Sequence, residues 1–120
     1  MTSPEQIVAR AEAIYRRRDL EAAVGLFEPD AVIVWNGKEV ARGTEAIRAF
    51  HERLFDPALE DVELRKTLRA ASGEVIAVEW RATWRNPDGS RGEQVAAEHW
   101  TLKGERLTEW RAFVHTKRIG

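Results

Sequence analysis

The stretch VAAEHWTL, residues 95–102, sets a carboxylate, an imidazole and an indole side by side as Glu98, His99 and Trp100. A carboxyl group whose charged form is disfavoured can exchange protons with a substrate near neutrality, and aromatic neighbours both disfavour that charge and bind flat apolar molecules. Tyr15 offers a second proton-bearing oxygen, and Trp35, Phe50, Trp80, Trp84, Trp100 and Trp110 are the candidate walls of a binding pocket. Asn36 precedes a glycine and reads as a turn former, while His51 reads as a surface or rim residue at the margin of a helical stripe. There is no cysteine, which removes disulfides, thiolate nucleophiles and cysteine metal sites. The three histidines lack metal-ligand spacing, and neither a Ser/His/Asp order nor a glycine-rich phosphate loop can be picked out, so no metal and no cofactor is expected.

The elements that must position these groups fall into two halves. Ser3-Pro4-Glu5-Gln6 combines a cap residue, a proline suited to the first helical position and a glutamine three residues after the cap; Ile7, Val8, Ala11, Ile14 and Tyr15 follow at helical spacing. Asp19 caps a short second helix with Leu20, Ala23, Val24 and Phe27 inward, and Pro29 ends it. DAVIVWNGKEVARG reads as a strand, a tight Asn36-Gly37 turn and a returning strand. Thr44 caps a third helix over residues 45–54 with Ile47, Phe50 and Leu54 on one side, so RGTEAIR opens a helix and is no phosphate loop. From residue 62 onward the period becomes alternating. VELRKTLRA, EVIAVEWRATWR, SRGEQVAAEHWTLK and ERLTEWRAFVH, separated by Ser72-Gly73, NPDG and KGE, predict a long antiparallel meander.

Alternation decides which side chains face inward. Val78, Trp80, Ala82 and Trp84 form one apolar face against Glu79, Arg81, Thr83 and Arg85 on the other. Trp100 and Leu102 fix the next strand in the same way, which puts Glu98 inside and His99 outside; Trp110, Ala112 and Val114 take the inner face of the last strand. Very large and very small side chains then alternate along that wall, which suits either a filled core or a core that opens into an aromatic pocket. An unpaired ionised carboxylate taken out of water costs many kcal/mol, so Glu98 must be paired (with Lys66 or Tyr15), protonated, or facing a wet cavity. The outer sheet face mixes Arg65, Glu79, Arg81 and Arg111 with Val95 and Phe113, a composition suited to a two-fold homodimer interface.

With 120 residues, 43% of them apolar and 32% charged, and a formal net charge of −1, the chain reads as a single domain over residues 1–120 with no field to attract nucleic acid or an acidic membrane. RRR at 16–18 is read as a solvated helix end. No apolar run approaches the ~18 residues of a membrane span, and MTSPEQIVAR lacks the basic start and apolar block of a signal peptide, so a cytoplasmic location is expected.

Helix, helix, hairpin, helix and four long strands make an α+β domain in which a curved antiparallel sheet wraps around three N-terminal helices. This arrangement resembles the cone-shaped fold of the nuclear transport factor 2-like superfamily, especially its SnoaL-like polyketide cyclase and ketosteroid isomerase-like members. The segments that carry the resemblance are DLEAAVGLFEPDAVIVW, ARGTEAIRAF, the EHW strand and LTEWRAFV. In ketosteroid isomerases a strand-end aspartate is the general base, and a helix tyrosine and a protonated carboxyl group donate to the substrate oxygen. Aligned on those segments, the base position falls on Trp35, the carboxyl position on Glu98 and the tyrosine position on Ala11, one turn before Tyr15. Trp35 cannot accept a proton, so steroid isomerisation itself does not fit. SnoaL-like cyclases use an acid on a late strand, and the nearby Glu109 is assigned to the outer face. What the resemblance implies is a cofactor-independent enzyme of SnoaL-like type, an isomerase, cyclase or lyase. In it Glu98 and Tyr15 would move protons on an apolar carbonyl- or hydroxyl-bearing molecule held between tryptophans. The alternative is a non-catalytic module that binds a small hydrophobic ligand in the same pocket, and a third reading is an interaction domain with a filled core.

Overall fold

The computed structural model describes residues 2–119. Helix α1 (Pro4–Arg17) starts at Ser3, whose hydroxyl accepts from the Gln6 backbone N–H (3.2 Å) while the Gln6 side chain accepts from Ser3 N–H (2.8 Å). Two otherwise unpaired donors of the first turn are satisfied by this reciprocal cap. The helix buries Ile7, Val8, Ala11, Ile14 and Tyr15 and ends at Arg18, in the left-handed region at φ 52°. Asp19 Oδ1 accepts from Ala22 N–H at 3.2 Å and caps α2 (Leu20–Val24).

Two local expectations are corrected here. Helix α2 stops at Gly25, and Phe27 already begins strand β1 (Phe27–Trp35), so Pro29 lies inside a strand and does not end the helix. The strand tolerates a residue without an N–H because its pairing with the neighbouring strand jumps from Phe27 to Val32, leaving Pro29 off the ladder. Helix α3 (Thr44–Leu54) is capped by Gly43 at φ 84°, with no side-chain cap bond; Thr44 is its first residue. Between these, Asn36 (φ 53°) and Gly37 (φ 82°) supply the two positive-φ positions of a tight hairpin turn from β1 into β2 (Lys38–Arg42).

Strands β3 (Glu60–Ser72), β4 (Val75–Arg85), β5 (Arg91–Lys103) and β6 (Arg106–Arg118) form the expected meander. All six strands join one sheet in the order β2-β1-β6-β5-β4-β3. The sheet is mixed and not wholly antiparallel, because β1 runs parallel to β6. The end of the meander thus returns to the first hairpin, and the sheet curls into a cone with α1 against β3 and α3 against β1 and β2. Pairing places Lys66 opposite Trp80, Trp80 opposite Ala96, and Trp100 opposite Trp110, with Glu98 between Val78 and Ala112. Glu98 is 2% exposed and His99 lies on the exposed face, as alternation predicts. No helix among the described residues is long and apolar enough to cross a membrane.

Candidate functional site

A cavity of about 210 Å³ opens where the C-terminal ends of α1 and α3 meet the sheet. Tyr15 and Arg18 come from α1 and its cap, Arg53, Leu54 and Phe55 from the end of α3, and Leu64, Trp80, Ala82, Trp84, Gln94 and Thr116 from successive strands. Arg18 Nη1 donates to the Asp56 carbonyl (2.9 Å) and the Leu59 carbonyl (3.2 Å), tying the segment after α3 across the mouth. Trp84 is fixed as a wall: its indole N–H donates to Asn86 Oδ1 at 3.0 Å, and its ring lies over Gly92, the residue opposite on β5. A Cβ at position 92 would come within 2.3 Å of that ring, so only glycine leaves room for it. Beside it, Gln94 Nε2 donates to the Thr116 hydroxyl at 3.0 Å.

Tyr15 links this cavity to a buried histidine. Its hydroxyl lies 2.7 Å from His51 Nε2, and His51 Nδ1 lies 2.8 Å from the Ile47 carbonyl. A carbonyl oxygen only accepts, so the imidazole proton sits on Nδ1, and Nε2 accepts from the tyrosine hydroxyl. Burial, with a smaller push from the Lys66 charge, lowers His51 to about 4 despite the stabilising bond to Ile47. Burial and the Glu98 carboxylate raise Tyr15 well above the ordinary phenol value. Near neutrality the pair is therefore a neutral phenol donating to a neutral imidazole. His51 is 0% exposed, which corrects the expectation of a surface or rim residue. It stands four residues after Ile47, on the same helical stripe, and that spacing was the available signal.

Glu98 and Lys66 form a separate, sealed arrangement. Lys66 Nζ lies 3.5 Å from Glu98 Oε1, both side chains are 0% exposed, and the Trp100 indole N–H donates to the same Oε1 at 3.1 Å. The ammonium lies over Tyr15 (4.7 Å from the ring centroid), Trp80 (4.4 Å), Trp100 (5.4 Å) and Trp110 (5.6 Å), a cage whose negative ring faces offset part of its desolvation. Burial still lowers the Lys66 value, against an upward pull from Glu98. Of the three options for Glu98, the structure takes pairing with Lys66. Lys66 Nζ, Glu98 Oε2 and the indole nitrogens of Trp80 and Trp110 have no hydrogen-bond partner among the described residues. Such buried unpaired polar atoms are uncommon in a purely structural core.

The residues singled out in the sequence thus separate. Tyr15, Trp80 and Trp84 line the cavity. Trp100 and Trp110 are 2% and 1% exposed and lie deeper, with Glu98, in the packed core. Trp35 and Phe50 pack on each other (5.3 Å between centroids) and on Trp110, outside the cavity lining, with Trp35 also edge-on against Trp80. The reading of RRR at 16–18 as a solvated helix end is corrected for Arg18, which lies in the cavity lining, and the sequence reading left out Arg53 and the Gly92 seat of Trp84.

A curved sheet closed over helices, with an apolar cavity at its open end, defines a cone-fold domain of the nuclear transport factor 2-like superfamily. More narrowly, residues 8–110 match the family model of the SnoaL-like domain, and the chain belongs to that family. Among solved structures, the epoxide hydrolase/cyclase-like enzyme SalBIII is 25% identical, with a TM-score of 0.79 over 92% of this chain and 89% of its own. A protein of ketosteroid isomerase-like fold from Catenulispora acidiphila, solved with trimethylamine, is 23% identical with a TM-score of 0.75, covering 92% of this chain and 85% of that one. A computationally designed 17-OHP binder is 18% identical with a TM-score of 0.73, covering 92% and 94%. No curated protein matches in sequence.

Proposed function

We infer that the chain is a small-molecule enzyme of SnoaL-like type that moves a proton on an apolar carbonyl- or hydroxyl-bearing substrate seated in the cavity at the mouth of the cone. One observation carries this reading: Tyr15 is both part of the cavity wall and the hydrogen-bond donor to a buried, neutral His51. A substrate hydroxyl that gives its proton to the Tyr15 oxygen is balanced by transfer of the tyrosine's own proton to His51 Nε2, leaving a substrate oxygen nucleophile and an imidazolium. With His51 lowered to about 4, holding that proton at pH 7 costs about 4 kcal/mol at ~1.36 kcal/mol per pH unit, so it is returned within the same turnover. Glu98 lies off this route and acts by anchoring Lys66. Intramolecular attack by that substrate oxygen on an epoxide carbon or an enone β-carbon forms the ring C–O bond as the epoxide C–O or C=C π bond breaks. The proton on His51 returns through Tyr15 to the alkoxide or enolate so formed. This is the step the relay serves best, and cyclisation is favoured over isomerisation or elimination. SalBIII is an epoxide hydrolase/cyclase-like enzyme with a role in pyran ring formation, which is consistent with that choice. The expected setting is cytoplasmic, and the expected partner at the outer sheet face is a second copy of the chain.

The second reading, a non-catalytic binding module, is favoured by the withdrawal of Glu98 into the Lys66 pair and by a cavity lining that contains no carboxylate. A panel of small hydroxy-epoxides and hydroxy-enones followed by product NMR separates the two. The enzyme reading expects cyclised product, lost by ~10²-fold or more in Tyr15→Phe with ligand affinity retained. No product from the panel leaves the binding module, and turnover unchanged in Tyr15→Phe refutes the Tyr15–His51 relay.

A further inference from the structure

Resting on the reading of this cavity as the ligand site, we propose that its ligand is a small organic anion. A carboxylate or comparable group is held by Arg53, with Arg18 beside it at the mouth, and an apolar body of single-ring size sits against Phe55, Trp80 and Trp84.

The charge of the cavity carries the proposal. Its lining includes two arginines and no acidic residue; the remaining polar groups deeper on the sheet, Gln94 and Thr116, are neutral and bonded to each other. Arginine stays charged at any working pH and presents a planar fork that fits a carboxylate. Elsewhere on the surface the arginines are mostly engaged: on the same helix Arg48 pairs with Glu21, and on the sheet Arg85 pairs with Glu60 and Asp61. Arg53 has no ion pair or side-chain hydrogen bond among the described residues, although it stands at the cavity. Arg18 uses Nη1 on the Asp56 and Leu59 carbonyls, which fixes its guanidinium at the rim and leaves its other N–H groups for a ligand. Arg18 is half-buried at the rim, which strengthens its contacts relative to open water, and no acid in the lining competes with a ligand for Arg18 or Arg53.

Size sets the rest of the ligand. An apolar cavity of ~150 Å³ admits benzene, so about 210 Å³ accepts a substituted single ring. An anion anchored at the two arginines points that body inward along Trp84 toward Tyr15, the group given the proton chemistry above. The arginines thereby act as positioning residues as well as a charge filter.

The test compares 3-phenylpropionate with its neutral isostere 3-phenylpropionamide by titration calorimetry and tryptophan fluorescence, on the full chain and on Arg53→Gln. The substitution is exposed and unpartnered, and circular dichroism checks that the fold is kept. The acid should bind ~10-fold or more tightly than the amide, in line with charge-assisted hydrogen bonds. Arg53→Gln should close that gap to within about threefold by weakening the acid alone, and salt should weaken the acid and not the amide. Equal affinity for acid and amide overturns the anion proposal, a gap that survives Arg53→Gln overturns Arg53 as the group that holds the anion, and either result leaves the cavity reading intact. Failure of both compounds to bind at millimolar concentration overturns the two together.

Discussion

Glu98→Gln separates a structural role for the buried pair from a catalytic one. The substitution keeps the shape of the side chain and the bond from Trp100, and opens no cavity; what it removes is the charge 3.5 Å from a fully buried ammonium. Breaking one half of a buried ion pair typically costs ~3–5 kcal/mol. The four aromatic rings do not soften this, since they contact Lys66 in the parent protein as well. A ceiling follows from the alternative of shedding the proton. Neutralising a lysine of ordinary value ~10.4 at pH 7 costs about 4.6 kcal/mol, so the loss should fall between ~3 and ~4.6 kcal/mol. The sign of its pH dependence is fixed. Lys66 already titrates below its ordinary value because of burial, and removing Glu98 takes away the largest upward pull, so its folded value drops further. Between that value and ~10.4 the unfolded chain binds more protons than the folded one, and stability rises with pH. Urea unfolding followed by tryptophan fluorescence at pH 7, 8 and 9 should therefore show the variant recovering up to ~1.4 kcal/mol per pH unit relative to the parent. Lys66→Met combined with Glu98→Leu should recover most of the loss, because a well-packed apolar replacement of a buried pair is often neutral or better. A loss under ~1 kcal/mol, or one independent of pH, would refute the sealed-pair argument and return Glu98 to the list of proton-transfer groups.

Two further outcomes are expected. On the outer sheet face Phe113 is 52% and Val95 40% exposed, flanked by the Arg69–Glu79 and Arg81–Glu93 ion pairs, and that self-complementary surface should hold a second copy. Light scattering should give twice 13.7 kDa at micromolar concentration and a monomer for Phe113→Glu; a monomeric parent, or a dimer untouched by the substitution, removes the idea. Gly92→Ala forces a Cβ to within 2.5 Å of three Trp84 ring atoms, so the indole must swing off β5 and leave Asn86. Destabilisation by ~1–3 kcal/mol and several-fold weaker 3-phenylpropionate binding are expected; unchanged stability and binding would mean that the wall is not held there.

How far the sequence carries depends on whether a feature is local or assembled. The Ser3–Gln6 cap, the Asn36-Gly37 turn and the inward direction of Glu98 are decided within a few residues, by cap chemistry, positive φ and strict two-residue alternation through Trp100 and Leu102. Lys66 was legible for the same reason, alternating with Leu64 and Leu68 on β3. The parallel seam between β1 and β6 was not, because alternation fixes the face of a strand and says nothing about its neighbour. His51 failed differently. Its spacing from Ile47 marked it as inward, but a titratable side chain is placed inside a protein only when a partner exists, and that partner, Tyr15, is 36 residues away on another helix. The cavity is assembled in the same sense. Gly92 matters only because register sets it opposite Trp84, and Arg18 and Arg53 line one cavity only because two helix ends come together against the sheet. A strand pattern therefore showed a carboxylate inside the fold and could not show whether water or substrate reaches it. Exposure, which is set by everything that packs around a residue, moves the expected chemistry from Glu98 to the Tyr15–His51 pair.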